Sequence, residues 1–203
     1  VLVGVGSPDR GDDAIGPAVV ALITEWVLGG SLGVSAPGRR PVNLPAGTQV
    51  VSRSDPTRLI DLLSGADLAV IVDAVRTGAP PGTLHVLATG IDQPPLPTAA
   101  TDTAAGTHGI GVSDALELAR ALGRLPPRVV VVGVEAAQFD VGAAMSPAVR
   151  DALVPAGRAV LHALGHDAPF DARELRAGLP HPSAALAPPT SMPPASPTPR
   201  APG

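Results

Sequence analysis

The chain of 203 residues contains no cysteine. That excludes a disulfide framework, a thiolate metal site, an iron–sulfur cluster and a cysteine nucleophile. It contains no lysine either, so all 14 cationic side chains are arginine. Schiff-base chemistry and a Walker-type phosphate lysine are thereby excluded. Charge is sparse: 16% of residues are charged and the formal net charge is −4. Such a balance gives no basic face for nucleic acid. No run reaches the roughly 18 consecutive apolar residues of a membrane span. No charged segment leads into an apolar one in the manner of a signal peptide. The expectation is a cytoplasmic protein, monomeric, with neither nucleic acid nor membrane as partner. The chain opens at Val1 directly in an apolar run, so a few residues are expected to precede it.

What is abundant is proline and glycine, with 25 and 23 residues, against a hydrophobic content of 45%. Position resolves the conflict. From Leu179 to Gly203, nine of 25 residues are Pro, and the segment has no apolar periodicity. Ala177–Gly203 therefore reads as a disordered, polyproline-leaning tail, or alternatively as a PxxP-type docking segment. Residues 1–165 remain as one domain, long enough to bury its own core without staples.

Within that domain, apolar runs alternate with helical periodicity. Val1–Val5 reads as a buried strand closing on Gly6. Ala14–Leu28 places Ile15, Val19, Leu22, Ile23 and Trp26 on one helical face. Ser31–Gly47 reads as a loop and Thr48–Ser52 as a short strand. Asp55-Pro56 opens a short helix through Leu63, with Asp55 as N-cap. Leu68–Val75 is apolar on both faces, as in a parallel sheet covered by helices. Thr83–Leu87 is a fourth strand and Arg128–Val134 a fifth. Gly111–Leu122 and a segment from Ser146-Pro147 to about Leu164 read as helices, with Ser146 as the N-cap of the second. Thr89–Thr107 is a long loop of the kind that is often functional. The pattern predicts an α/β, doubly wound fold with one central, mostly parallel five-stranded sheet flanked by helices on both faces.

Ligands of such folds bind outside the carboxyl ends of the strands. After the first run comes Gly6-Ser7-Pro8-Asp9-Arg10-Gly11-Asp12-Asp13. The start of a dinucleotide fingerprint is present, but its third glycine is not. Three carboxylates, Asp9, Asp12 and Asp13, stand where a pyrophosphate needs a positive helix end. One of Asp12 and Asp13 is needed at most as a helix cap, which leaves the other to project into the crevice. Asp73 ends an apolar run, and a buried carboxylate must be paired, hydrogen-bonded or metal-bound. Arg10 and Arg76 are candidate partners. His108, in Gly106-Thr107-His108-Gly109, precedes a helix and is either a solvated loop histidine or a ligand. His85 reads as a surface or satisfied histidine. His162, His166 and His181 carry no assigned role. Asp13, Asp73 and His108 would make a nitrogen–oxygen set suited to a borderline metal such as nickel, zinc, iron or manganese, with positions open for substrate.

The opening VLVGVGSPDRGDDAIGPAVV, then LAVIVDAVRTGAPPGTLHVL, then THGIGVSDALELARALGRLPPRVVVVGVEAAQFDVGAAMSPAVRDAL, resembles the nickel-dependent hydrogenase maturation endopeptidases over roughly Val1–Leu164. The resemblance implies a phosphorylase/hydrolase-like sheet between helices. It also implies removal of a C-terminal extension from the precursor of a nickel–iron hydrogenase large subunit, after nickel insertion. It carries the second acid of the opening onto Asp13, the acid of the third strand onto Asp73, and the histidine before the next helix onto His108. All three would meet nickel brought by the substrate. The family usually has Asn where this chain has Ser7. Its D-G-G-T-like turn is missing from Asn43–Ser54, where Ala46-Gly47-Thr48 is nearest in composition. That departure bears on substrate docking rather than metal contact. No Ser-His-Asp triad is evident. Two other readings stay open: a non-catalytic nickel-checking module for the precursor, and a different metal-dependent hydrolase on the same sheet edge.

Overall fold

A computed structural model describes residues 1–28, 42–96 and 111–166. The expected tail from Ala177, His108, His181, most of the Ser31–Gly47 loop and the second half of the Thr89–Thr107 loop lie outside the described residues. The strands are β1 (Leu2–Val5), β2 (Val50–Arg53), β3 (Leu68–Val75), β4 (Leu84–Thr89) and β5 (Arg128–Glu135). The helices are α1 (Ile15–Val27), α2 (Leu59–Leu63), α3 (Val112–Ala121) and α4 (Pro147–Ala163). No helix among the described residues is long and apolar enough to cross a membrane.

The strands form one sheet in the order β2-β1-β3-β5-β4. Four run parallel, and β4 is antiparallel to β5. This is the expected mostly parallel five-stranded sheet. Successive side chains of a strand point to opposite faces, and each face buries its own set. Leu2, Val70, Val72, Val132 and Val134 pack against Ile15, Val19, Ile23 and Trp26 of α1 and Val149, Val160 and Leu161 of α4. Val3, Val5, Ile71 and Val131 pack against Leu59 and Leu63 of α2 and Val112 and Leu116 of α3. Two covered faces are the reason β3 reads as an unbroken apolar run.

A local side-chain cap opens the turn before α2, but none opens α4. The Asp55 carboxylate accepts from the Thr57 amide at 2.9 Å and the Thr57 hydroxyl at 2.6 Å, and Pro56 opens the 3-10 turn that leads into α2. Ser146 occupies the N-cap position of α4 but makes no capping bond. Its hydroxyl is drawn away to Asp12.

From β1 the chain passes to β2 on one side, then returns across β1 to β3, on to the far edge strand β4, and back to β5 between them. The connections diverge between β1 and β3, the place where open α/β sheets form their ligand crevice. Helix α1 lies against the strands there with no side chain between. A Cβ on Gly16 would stand 2.1 Å from the Val5 carbonyl oxygen, and one on Gly4 would stand 2.3 Å from that of Gly16.

Candidate active site

The chain leaves β1 through Gly6, whose φ of +125° suits glycine. A Cβ there would lie 2.0 Å from the Asp13 carbonyl oxygen. The segment after Gly6 therefore folds back tightly, and its 3-10 turn Gly11–Ala14 sits at the end of β1. The two adjacent acids of that turn point to different partners.

Asp12 is fully buried. Its carboxylate accepts from the amides of Ala137 (2.8 Å), Gln138 (3.1 Å) and Ser146 (2.6 Å), and from the Ser146 hydroxyl (3.0 Å). Asp13 is partly exposed and accepts from the Ser7 amide at 2.8 Å. That contact uses the Ser7 backbone, so a serine in place of the family's asparagine leaves it intact. Neither acid caps α1, whose start has no side-chain cap bond. The capping alternative gives way to a long-range tie for Asp12 and a crevice position for Asp13.

Asp73, near the end of β3, is 2% exposed, and its Oδ2 has no hydrogen-bond partner among the described residues. Burial pushes its carboxyl well above the usual carboxylate range. The nearby charge of Asp13 adds to that shift, and the Ala74 amide opposes it. The expected arginine partners are elsewhere. Arg76 lies over the Phe139 ring, 5.0 Å from its centre, and Nε of Arg10 is buried without a partner. Among the described residues no arginine pairs with Asp73.

Two of the three expected site residues thus come together. His108 lies outside the described residues, ahead of α3. That helix covers the sheet face on which Asp73 follows Ile71. Among the described residues no third His, Asp or Glu joins the two carboxylates in a metal-holding group. A cleft lined by Val1, Gln49, Asp67 and Leu68 opens at the opposite, amino end of the strands, away from these carboxylates.

Glu135, at the end of β5, escaped the sequence reading. It is 1% exposed and accepts from the Thr77 amide (2.8 Å) and hydroxyl (2.8 Å) and the Gly78 amide (2.9 Å). His85 Nε2 lies 3.2 Å from its Oε2, so this histidine is satisfied, as expected. Burial raises the Glu135 carboxyl, but the bonds from Thr77, Gly78 and His85 outweigh it and leave the pKa below its ordinary value. A group lowered in this way stabilises the fold above its unfolded pKa, near 4.5. That stabilisation is lost as pH falls through the folded value. Glu135→Ala leaves two backbone amides of the β3–β4 turn unpaired. The expected cost is about 2–4 kcal/mol at pH 7, read from urea unfolding, and it should shrink in acid. The signal for Glu135 was the same as for Asp73: one acid at the end of a valine run.

Residues 47–163 match the family model HycI, hydrogenase maturation protease. The hydrogenase expression/formation protein HupD of Thiocapsa roseopersicina is 27% identical over 158 residues, which is 77% of this chain. The chain spans only 63% of that curated relative's length. The hydrogenase maturating endopeptidase HybD of E. coli superposes with a TM-score of 0.57 at 22% identity, over 81% of this chain and 90% of that one. The [NiFe] hydrogenase maturation protease HycI of Thermococcus kodakarensis KOD1 gives 0.53 at 20% identity, over 81% and 91%. At such identities the structural likeness speaks for the fold alone.

Proposed function

The chain belongs to the hydrogenase maturation protease family, and from that premise we propose that it is an endopeptidase of hydrogenase maturation. Its substrate is the precursor of a nickel–iron hydrogenase large subunit that already carries nickel, and it removes the C-terminal extension. The observation that carries this reading is the Asp73 carboxylate, buried, with one oxygen unpartnered, beside Asp13. Folded proteins satisfy their buried polar atoms. An orphaned carboxylate next to a second acid is the mark of a site completed by something cationic.

The donor set fits nickel carried by the precursor. Asp13 and Asp73 offer carboxylate oxygens, and His108 is the proposed imidazole, a combination that suits borderline metals. The metal supplies positive charge that polarises the scissile carbonyl or the attacking water. The remaining steps belong to the chain. Asp13, fixed by the Ser7 amide through Oδ2, keeps its other oxygen for the metal-bearing segment. Asp73 is assigned as general base, because it is buried beside Asp13 with its Oδ2 unpartnered among the described residues. Its Oδ2 takes the proton of the water that adds to the scissile carbonyl. It then returns that proton to the leaving amine nitrogen. Residues 1–165 are proposed to be the catalytic unit, since every described strand and helix lies within them. The reaction is proposed to run in the cytoplasm, with the chain as a monomer and nickel as cargo rather than resident metal.

The test is mass spectrometry of nickel-loaded and nickel-free precursor after incubation with the full chain. The expected result is loss of a short C-terminal peptide from the nickel-loaded precursor only. Unchanged mass in both would replace the protease with a nickel-checking module. Equal cutting in both would remove nickel from the reaction, and zinc or manganese in the purified free protein would favour a different metal hydrolase.

A further inference from the structure

We infer that Asp12 is a positioning residue for Asp13: it clamps the turn that carries Asp13 to the loop between β5 and α4. The inference deepens the reading of Asp13 as a substrate-contacting carboxylate and rests on it for its catalytic consequence.

Asp12 is an acid, yet it is fully buried, and among the described residues no cationic side chain pairs with it. Instead its oxygens are held by three amides and a hydroxyl, all from residues 137, 138 and 146. Four donors from two separate stretches converge on the two oxygens of one side chain, so they act together as a clamp. Backbone bonds extend the seam on both sides. The Asp12 amide donates to the Gln138 carbonyl (3.1 Å), Gly11 to Ala143 (3.2 Å), and Gly142 to Asp9 (2.7 Å). The loop after β5 is thus stitched along residues 9–12 of the turn.

Asp13 gains from this by covalent adjacency. The peptide bond leaving Asp12 is anchored on its N-terminal side, and Asp13 reaches back from it to the Ser7 amide. Its place beside Asp73 therefore depends on contacts made more than 120 residues away in sequence. A group held only by its own turn would have to pay that ordering at each encounter with substrate.

The test uses the full chain with Asp12→Asn and, separately, Ser146→Ala. Asp12→Asn keeps the shape but turns one acceptor oxygen into an amide donor that faces other donors. Ser146→Ala removes one of the four bonds and spares the rest. Hydrogen exchange at the Ser7 amide, read by NMR, reports directly on whether Asp13 keeps its place. Steady-state cleavage of nickel-loaded precursor reports the consequence. In Asp12→Asn the expected result is at least tenfold faster exchange at Ser7, with Val70 and Val72 of β3 unchanged. The same variant should lose at least tenfold in kcat, with KM for the precursor within threefold of the parent. Ser146→Ala should move both readouts two- to fivefold in the same direction, and it decides alone if Asp12→Asn does not fold. Parental exchange at Ser7 in the folded variants would overturn the inference. So would acceleration by the same factor at Ser7, Val70 and Val72, which would make Asp12 a general structural anchor. Selective acceleration at Ser7 in a protein whose parent cuts nothing would uphold the positioning role and defeat the proposed protease.

Discussion

Asp73→Asn is expected to abolish cleavage and, in the same molecule, to stabilise the fold at neutral pH. The activity loss should be at least about a thousandfold, equivalent to roughly 4 kcal/mol of barrier, because the variant loses both the proton acceptor and a metal-facing charge. Cleavage within tenfold of the parent would remove Asp73 from the reaction. The stability gain follows from the direction of the shift. Burial and the Asp13 charge hold the folded pKa above the ordinary value of 3.8. Below that value both folded and unfolded chains carry the proton, and the carboxyl costs nothing extra. As pH rises above it, the unfolded chain releases a proton that the folded chain keeps. Stability then falls by about 1.4 kcal/mol per pH unit until the folded pKa is passed. The amide of Asp73→Asn has no proton to lose in this range. Urea unfolding of metal-free protein should therefore show a difference in favour of the variant that widens between pH 4 and pH 7. A difference of the same size at both pH values would mean that the carboxyl is not perturbed. A more stable and inactive protein is the usual signature of a site that holds a group against its preference.

Asp73 and Glu135 show how far the sequence could be read, and where it stopped. Each closes a run of aliphatic residues, LAVIV before Asp73 and RVVVVGV before Glu135. The rule that a buried acid needs a partner applies to both. Only the fold says that Glu135 meets the Thr77–Gly78 turn and His85. Only the fold says that Oδ2 of Asp73 meets no hydrogen-bond partner among the described residues. Asp12 is a sharper case. Two adjacent acids do not both fit the cap of one helix, but the donors to Asp12 sit 125 to 134 residues further on. Side-chain periodicity carries no information about such a contact.

The sheet was legible in proportion to burial. The β3 strand runs over Leu68–Val75, the span its composition predicts, since both its faces are covered. The β4 strand is displaced from the predicted Thr83–Leu87 to Leu84–Thr89. It is an edge strand with Val86 56% exposed, so its apolar signal is weak. That it is the strand running antiparallel was not visible either, because its partner β5 comes nearly forty residues later in the chain. Ser146 stands at the expected N-cap of α4, but its capping bond is missing for a related reason. Its type and position suit an N-cap, but its side chain is turned to donate to the Asp12 carboxylate at 3.0 Å, a partner the local sequence does not reveal.

Gly16→Ala is expected to cost at least about 3 kcal/mol, against the ordinary expectation for this exchange. In an exposed helix, alanine is favoured over glycine by about 1 kcal/mol. At Gly16 the added methyl would stand 2.1 Å from the Val5 carbonyl oxygen, 2.7 Å from that of Val72 and 2.8 Å from the Val5 nitrogen. All three are backbone atoms of β1 and β3, so no rotamer change relieves the overlap. Either α1 lifts from the sheet or β1 moves away from β3, and each alternative loosens the packing of Ile15, Val19 and Val72. Overpacking against a side chain costs about 1–3 kcal/mol, and against backbone it should exceed that range and outweigh the helix-propensity gain. Urea midpoints at an unchanged m-value measure the effect, and Gly4→Ala, on the facing surface, should give a loss of the same order. The activity consequence is separate from stability. Gly16 lies three residues after Asp13, so a lifted α1 displaces one carboxylate of the pair while Asp73 stays on β3. At temperatures where Gly16→Ala is still folded, cleavage per folded molecule should therefore fall as well. A midpoint equal to the parent's would mean that α1 does not rest on the strand backbones, and the placement of Asp13 beside Asp73 would lose its support.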